Sequence, residues 1–154
     1  MAYQIEVMTQ EEAEEIAFNW HYDGEYSFYD MAADKEDLEE FINPEKRGSN
    51  VFSVIDTEEL IGYFTASKEK EYIIDIGLGL RPDLTGKGIG LHFLKTVMEF
   101  VNSEYKPKKI TLSVAFFNQR AVKVYRKIGF TESHIYWQKT NGSTFKFLKM
   151  EYDC

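Results

Sequence analysis

The sequence predicts an α/β fold in one domain spanning residues 1–154: a mixed sheet with helices packed on it. Three observations carry this reading. Segments with a two-residue apolar period alternate with segments of 3.6-residue period. Between them lie turn and cap residues of the kinds that join strand to strand and strand to helix. The composition, 44% hydrophobic and 16% aromatic, suits a folded core rather than a disordered chain.

The elements follow in order. Tyr3 to Met8 reads as a strand. Thr9 to Trp20 reads as a helix, because Thr9 with Glu12 three residues on is a capping-box pattern. Asp34 to Ile42 reads as a short helix. Its carboxylates Glu36, Asp37, Glu39 and Glu40, with Asp34, read as a solvated face. Asn50 to Asp56 and Leu60 to Ser67 are strands around the polar turn Thr57-Glu58-Glu59, and Tyr72 to Leu80 is the next strand. Gly88 to Tyr105 is a helix with Ile89, Phe93, Leu94, Val97, Phe100 and Val101 on one stripe. In Lys109 to Val114, Ile110, Leu112 and Val114 alternate with Thr111 and Ser113, a strand signature. Asn118 caps a further helix that buries Ala121, Val122, Tyr125 and Ile128 and stops at Gly129. Thr131 to Thr140 and Ser143 to Glu151 form a hairpin around Asn141-Gly142, a type I′ turn signal. The order is βαα-βββ-α-β-α-ββ.

Net charge is −8 and the isoelectric point is about 4.9. That acidity argues against nonspecific nucleic-acid binding and against an anionic membrane surface. It is compatible with a cationic substrate such as an amine, and equally with plain solubility. The one cysteine, Cys154, excludes a disulfide framework and a Cys-based zinc site within one chain, and no metal is expected. The start, Met1 to Val7, lacks the basic and apolar regions of a signal peptide. No run of 18 apolar residues is present, so no membrane span is expected and a reducing cytoplasm is the expected location.

The chemistry-bearing feature is Thr85-Gly86-Lys87-Gly88-Ile89-Gly90, between a strand and a helix. The first amides of a helix have no intrahelical partner, and the helix dipole adds positive potential there. Glycines without a Cβ let an anion approach closely, so this turn is a phosphate cradle. It is not a Walker loop, because Arg81 stands where the first glycine is needed and Gly88 where Ser or Thr is. Nor is it a dinucleotide fingerprint: counted from Gly86 the last position is Leu91, and from Gly77 it is Pro82.

About 30 residues after this turn lies Asn118-Gln119-Arg120-Ala121-Val122-Lys123-Val124-Tyr125-Arg126-Lys127-Ile128-Gly129-Phe130. The two stretches together resemble the GNAT superfamily of N-acetyltransferases. Arg81 to Gly90 resembles its acetyl-CoA motif, and Asn118 to Phe130 its Asn-x-x-Ala…Tyr…Gly-Phe segment. The resemblance implies a mostly antiparallel sheet of about seven strands flanked by four helices. It implies acetyl transfer from acetyl-CoA to a primary amine by direct attack in a ternary complex, with no metal. The acceptor would be a small-molecule or peptide amine, and a homodimer is common among similar proteins.

Residue roles follow from the same likeness. The amides of Thr85, Gly86, Lys87, Gly88, Ile89, Gly90 and Leu91 would cradle the pyrophosphate, with Lys87 reaching a phosphate. Leu78, Gly79 and Leu80 would pair with the pantetheine arm as with a strand. A backbone N–H near Leu80 would meet the oxyanion, Asn118 would contact the arm, and Tyr125 would protonate the departing thiolate. Gly77 and Gly79 fit a close backbone approach. Two positions depart from the family pattern. Thr85 replaces the usual Gln or Arg, and Ser113 stands where the alanine-acetylating branch has a glutamate base. Asp75, Glu71, Glu25, Asp30 and His21 are candidate bases, with no assignment among them. The loop Trp20 to Asp30, aromatic and acidic, is expected to wall the acceptor site and suits a cationic amine. The alternatives are a catalytically silent acyl-CoA sensor and a structural protein whose glycine turn holds nothing.

Overall fold

The computed structural model describes residues 3–154; Met1 and Ala2 of the N-terminal stretch lie outside the described residues. The strands are β1 (Gln4–Val7), β2 (Val51–Asp56), β3 (Glu59–Lys70), β4 (Ile73–Leu80), β5 (Lys109–Ala115), β6 (Thr131–Thr140) and β7 (Ser143–Asp153). The helices are α1 (Gln10–Asn19), α2 (Lys35–Ile42), α3 (Pro44–Arg47), α4 (Gly90–Tyr105) and α5 (Gln119–Ile128). The seven strands form one sheet in the order β1-β2-β3-β4-β5-β7-β6. Every neighbouring pair is antiparallel except β4 with β5, which is parallel.

The turns explain the hairpins. Thr57 and Glu58 both have positive φ, as do Asn141 and Gly142, the signature of two-residue turns whose twist matches the strands. Short helical pieces that periodicity did not suggest are α3 and the 3₁₀ turns Gly24–Tyr29, Met31–Ala33 and Pro82–Leu84. Such single turns are too short to show an apolar stripe. The helix expected from Gly88 starts at Gly90, because Gly88 has φ +80°.

Strand alternation divides the core between two faces. Phe52, Val54, Phe64, Ile74, Ile76, Ile110, Leu112, Leu148 and Met150 pack against α4 and α5 through Phe93, Leu94, Val97, Val101 and Val122. On the other face Met8 and Val51 meet Ala13, Ile16 and Ala17 of α1, Trp20, and Phe41 of α2. The predicted capping box of α1 is present: the Glu12 amide donates to Thr9 Oγ1 at 3.2 Å, and the Thr9 amide to Glu12 Oε1 at 2.9 Å. The same Glu12 oxygen accepts from buried Ser53 at 2.9 Å, tying α1 to β2. Thr9→Ala is expected to cost about 1 kcal/mol in a urea titration; a stability equal to the parent's would show that the cap is dispensable.

The parallel pair positions the site. β4 and β5 pair only from Ile73 with Lys109 to Ile76 with Leu112. Beyond that, β4 stays with β3 as far as Leu80 opposite Gly62, and β5 stays with β7 as far as Ala115 opposite Phe147. The two facing edges therefore diverge and open a V-shaped cleft in the middle of the sheet.

Candidate active site

Strand geometry aims backbone groups into this cleft. The Arg81 amide donates to the Ile61 carbonyl of β3 at 2.8 Å. With a two-residue period, the amides of Gly79 and Gly77 also face β3, and those of Leu78 and Leu80 face the cleft. The Leu80 carbonyl accepts a hydrogen bond from the Tyr22 hydroxyl at 2.7 Å, which places it on the same side. A cavity of about 590 Å³ fills the splay. Leu78, Gly79 and Leu80 line it, with Thr85, Gly86, Gly88, Gly90 and Leu91 of the glycine turn, and with Asn118 and Tyr125 of the second motif. The two motifs thus meet in one cavity. Lys87 and Ile89 do not line it. Lys87 is exposed, its charge near Asp83.

Gly86 (φ +72°) and Gly88 (φ +80°) hold left-handed backbone that favours glycine, and among the described residues the amides of Gly86, Lys87 and Gly88 make no hydrogen bond. These are free donors beside the α4 N-terminus. Thr85 differs from expectation, because its amide and its hydroxyl both turn back to the Pro82 carbonyl, at 3.3 and 2.7 Å. Arg120 reaches the turn from α5: its Nη1 lies 3.4 Å from where a Cβ on Gly86 would stand. Sequence reasoning passed over Arg120. The available signal was its place two residues after an Asn N-cap, on the first turn of a helix that follows the glycine motif.

Gly77 and Gly79 are glycines for the fold's own reasons. A Cβ on Gly79 would enter the Tyr63 ring, its cross-strand neighbour. One on Gly77 would come 2.8 Å from Thr65 Oγ1, which already accepts the Gly77 amide. The close approach at these positions is therefore by β3 side chains rather than by a ligand.

Asn118 caps α5, its Oδ1 accepting from the Ala121 amide at 3.2 Å. Its Nδ2 donates to the Tyr29 hydroxyl at 3.0 Å. Tyr125 faces the cavity one helical turn after Ala121 and touches Phe130. Burial, and next the nearby Tyr29, push its hydroxyl well above the ordinary phenol range. It stays protonated throughout neutral pH and is available as a donor. Burial also raises Tyr22 and Tyr29, and pushes Tyr63 up to about 12.

The loop between α1 and α2 does wall the cavity, through Tyr22, Tyr26 and Tyr29. Its carboxylates do not. Asp30 is engaged by the Tyr22 amide at 2.7 Å and by His21 at 3.2 Å, and Glu25 lies outside the lining. Asp75 on β4 and Glu71 just before it lie outside the cavity as well. Asp75 accepts from Thr111 at 2.7 Å, in a cluster with Glu69 and Lys149 outside the cavity, and Glu71 is exposed in the β3–β4 turn. Among the described residues, no Asp, Glu or His lines the cleft. Ser113 does line it, just past the last β4–β5 pair. Among the described residues no metal-binding group of His, Cys, Asp and Glu occurs.

This arrangement finds counterparts among known proteins. A family model described as an acetyltransferase (GNAT) domain matches residues 4–131. The spore coat polysaccharide biosynthesis protein SpsD of Bacillus subtilis (strain 168) is 31% identical over 80 residues, which are 51% of this chain and 27% of that protein. The match thus spans about a quarter of that relative's length. A solved chimera of the spermidine N-acetyltransferase SpeG from Vibrio cholerae and hSSAT has a TM-score of 0.74 at 20% identity, covering 99% of this chain and 96% of that one. An acetyltransferase of the GNAT family from Bacillus anthracis has a TM-score of 0.75 at 17% identity, covering 99% and 95%. At such identities these two structures share the fold. The family model spans most of the chain, and the splayed parallel pair carries the family's motifs into one cavity. The chain belongs to the GNAT acetyltransferase family, whose co-substrate is acetyl-CoA.

Proposed function

We propose that residues 1–154 act as one N-acetyltransferase unit that moves an acetyl group from acetyl-CoA to a primary amine by direct attack in a ternary complex. The observation that carries this reading is the meeting of three elements in one cavity: the free β4 edge, the glycine turn and Tyr125. The pantetheine arm lies along Leu78 to Leu80 as an added strand, its amide groups paired with the backbone that faces the cleft. The pyrophosphate sits on the amides of Gly86 to Leu91 at the α4 N-terminus. Asn118 closes the far wall of the arm.

The amine nitrogen attacks the thioester carbon, and the carbonyl oxygen gains charge opposite the Leu80 amide. One well-aimed donor at that point is worth about 2.7–4 kcal/mol. The carbon–sulfur bond then breaks, and the sulfur takes a proton from the Tyr125 hydroxyl. With no carboxylate or imidazole lining the cleft among the described residues, the enzyme captures the neutral amine, roughly one molecule in 10³ at neutral pH for an alkylamine of pKa about 10.4. The one proton that the attacking nitrogen loses passes through water and restores the Tyr125 hydroxyl. Aromatic walls from Tyr22, Tyr29 and Tyr63 suit an amine-bearing small molecule or peptide. The spermidine acetyltransferases among the structural relatives make polyamines a first class to try. A cytoplasmic location and a homodimer belong to the same reading; among the described residues no helix is long and apolar enough to cross a membrane.

Saturating coenzyme A tests the donor site. At 100 times Kd it is expected to stabilise the fold by about 2.7 kcal/mol in a thermal-shift measurement. No shift with either coenzyme A or acetyl-CoA sinks the reading. The bare cleft and Ser113 favour one second reading, an acyl-CoA sensor without turnover. A panel of amine classes with acetyl-CoA and a free-thiol readout separates the two, since release of thiol on any amine ends the sensor.

A further inference from the structure

Arg120 stands where the two halves of the site touch. Its guanidinium carbon lies 4.3 Å from the centre of the Tyr26 ring, and its Nη1 borders Gly86 of the glycine turn. A cation–π contact uses none of the guanidinium's N–H donors. Among the described residues no carboxylate pairs with it. Tyr26 belongs to the 3₁₀ turn that also carries Tyr29, whose hydroxyl accepts from Asn118. Tyr22, just before that turn, donates to Leu80. The acceptor loop is thus fastened by three tyrosines to Leu80, Asn118 and Arg120, all on the donor side of the cleft.

We propose that Arg120 is a positioning residue that couples the two substrates. Its N–H edge takes a phosphate oxygen of the donor at the glycine turn, and its face, held still by that contact, fixes Tyr26 and with it the acceptor wall. The physical reason is rotamer entropy. An exposed arginine on the first turn of a helix samples many rotamers, and a stack on it is weak while it moves. A phosphate on the N–H edge removes that freedom, so the stack then costs less to form. Donor and amine therefore each strengthen the binding of the other. This inference rests on the cleft being the acetyl-CoA site.

Backbone hydrogen exchange over residues 21–33 reads the coupling without turnover, with coenzyme A as the probe. Saturating coenzyme A is expected to slow exchange there roughly two- to fivefold, the range that a cation–π contact supports. Pantetheine, which has the arm but no phosphate, is expected to leave exchange unchanged. Arg120→Lys keeps the charge and loses the planar stack; it is expected to bind coenzyme A and to lose the protection. With an acetylated amine from the panel, the same variant is expected to raise the acceptor KM and spare kcat. Tyr26→Leu is expected to reproduce both effects and, because the coupling is reciprocal, to weaken coenzyme A by no more than the same two- to fivefold. Coenzyme A that binds with no change over 21–33 overturns the coupling and leaves the donor site standing. So does an Arg120→Lys enzyme that raises only the acetyl-CoA KM. Failure of coenzyme A to bind overturns the donor-site reading itself, and the coupling with it.

Discussion

Replacing Tyr125 by phenylalanine is expected to lower kcat by on the order of 10²-fold and to leave coenzyme A affinity nearly unchanged. The hydroxyl is the only part removed, and the ring still packs on Phe130 and fills the cavity wall. Burial holds the phenol above its ordinary range, well above a free thiol near 8.5. Complete proton transfer from Tyr125 to the thiolate is therefore uphill in the resting site. Its contribution is to hydrogen-bond the sulfur as charge develops, and to give up the proton as the C–S bond breaks. The loss should then appear in kcat, because the neutral thioester gains little from that donor. Steady-state kinetics with a released-thiol readout, beside a coenzyme A titration, checks both halves. A fully active Tyr125→Phe enzyme removes this residue from the acid role, and an equal loss in Kd makes it a binding residue.

The second large effect is expected at the glycine turn. Valine at both Gly86 and Gly88 should weaken coenzyme A binding on the order of 10²-fold. Left-handed backbone costs an L-residue about 1–2 kcal/mol, and a β-branched one is a marked outlier there, so two such positions amount to about 2–4 kcal/mol. The chain escapes that strain by turning the peptides, which takes the free amides of Gly86, Lys87 and Gly88 out of the cradle. Gly90→Ala is the contrast: it is the first residue of α4, without positive φ, and a Cβ there meets nothing within 4 Å. It should bind coenzyme A as the parent does. Isothermal titration of the two variants separates cradle geometry from mere bulk, and equal affinities in both would show that the turn does not hold the pyrophosphate.

The three glycines mark how far the sequence could be read. In the sequence they are alike, three small residues between a strand and a helix. In the structure two hold left-handed backbone and one begins a helix. The same limit applied to Gly77 and Gly79, whose missing Cβ atoms serve Thr65 and Tyr63 on the neighbouring strand. Local signals were reliable where the chemistry is local. The Thr9 capping box, the Asn118 cap and the Asn141-Gly142 turn each involve residues within about four positions, and each is present. The candidate bases were not local. Asp75 and Asp30 are plausible as residue types, yet cross-strand and loop partners hold them away from the cavity.

The alternation of strands and helices, the two motifs, their order and the family they point to are legible in the chain before it folds. These depend on periodicity and short-range hydrogen bonding, which are written in neighbouring residues. The point where β4 and β5 part is set by the folded sheet, because pairing that stops at Ile76 and Leu112 depends on partners far apart in the chain. The folded sheet also brought Arg120, and not Lys87, into the cavity lining, over the ring of Tyr26 in the acceptor loop. An arginine and a tyrosine separated by 94 positions share no periodic signal, and their contact exists only once the sheet has brought α5 and the loop together.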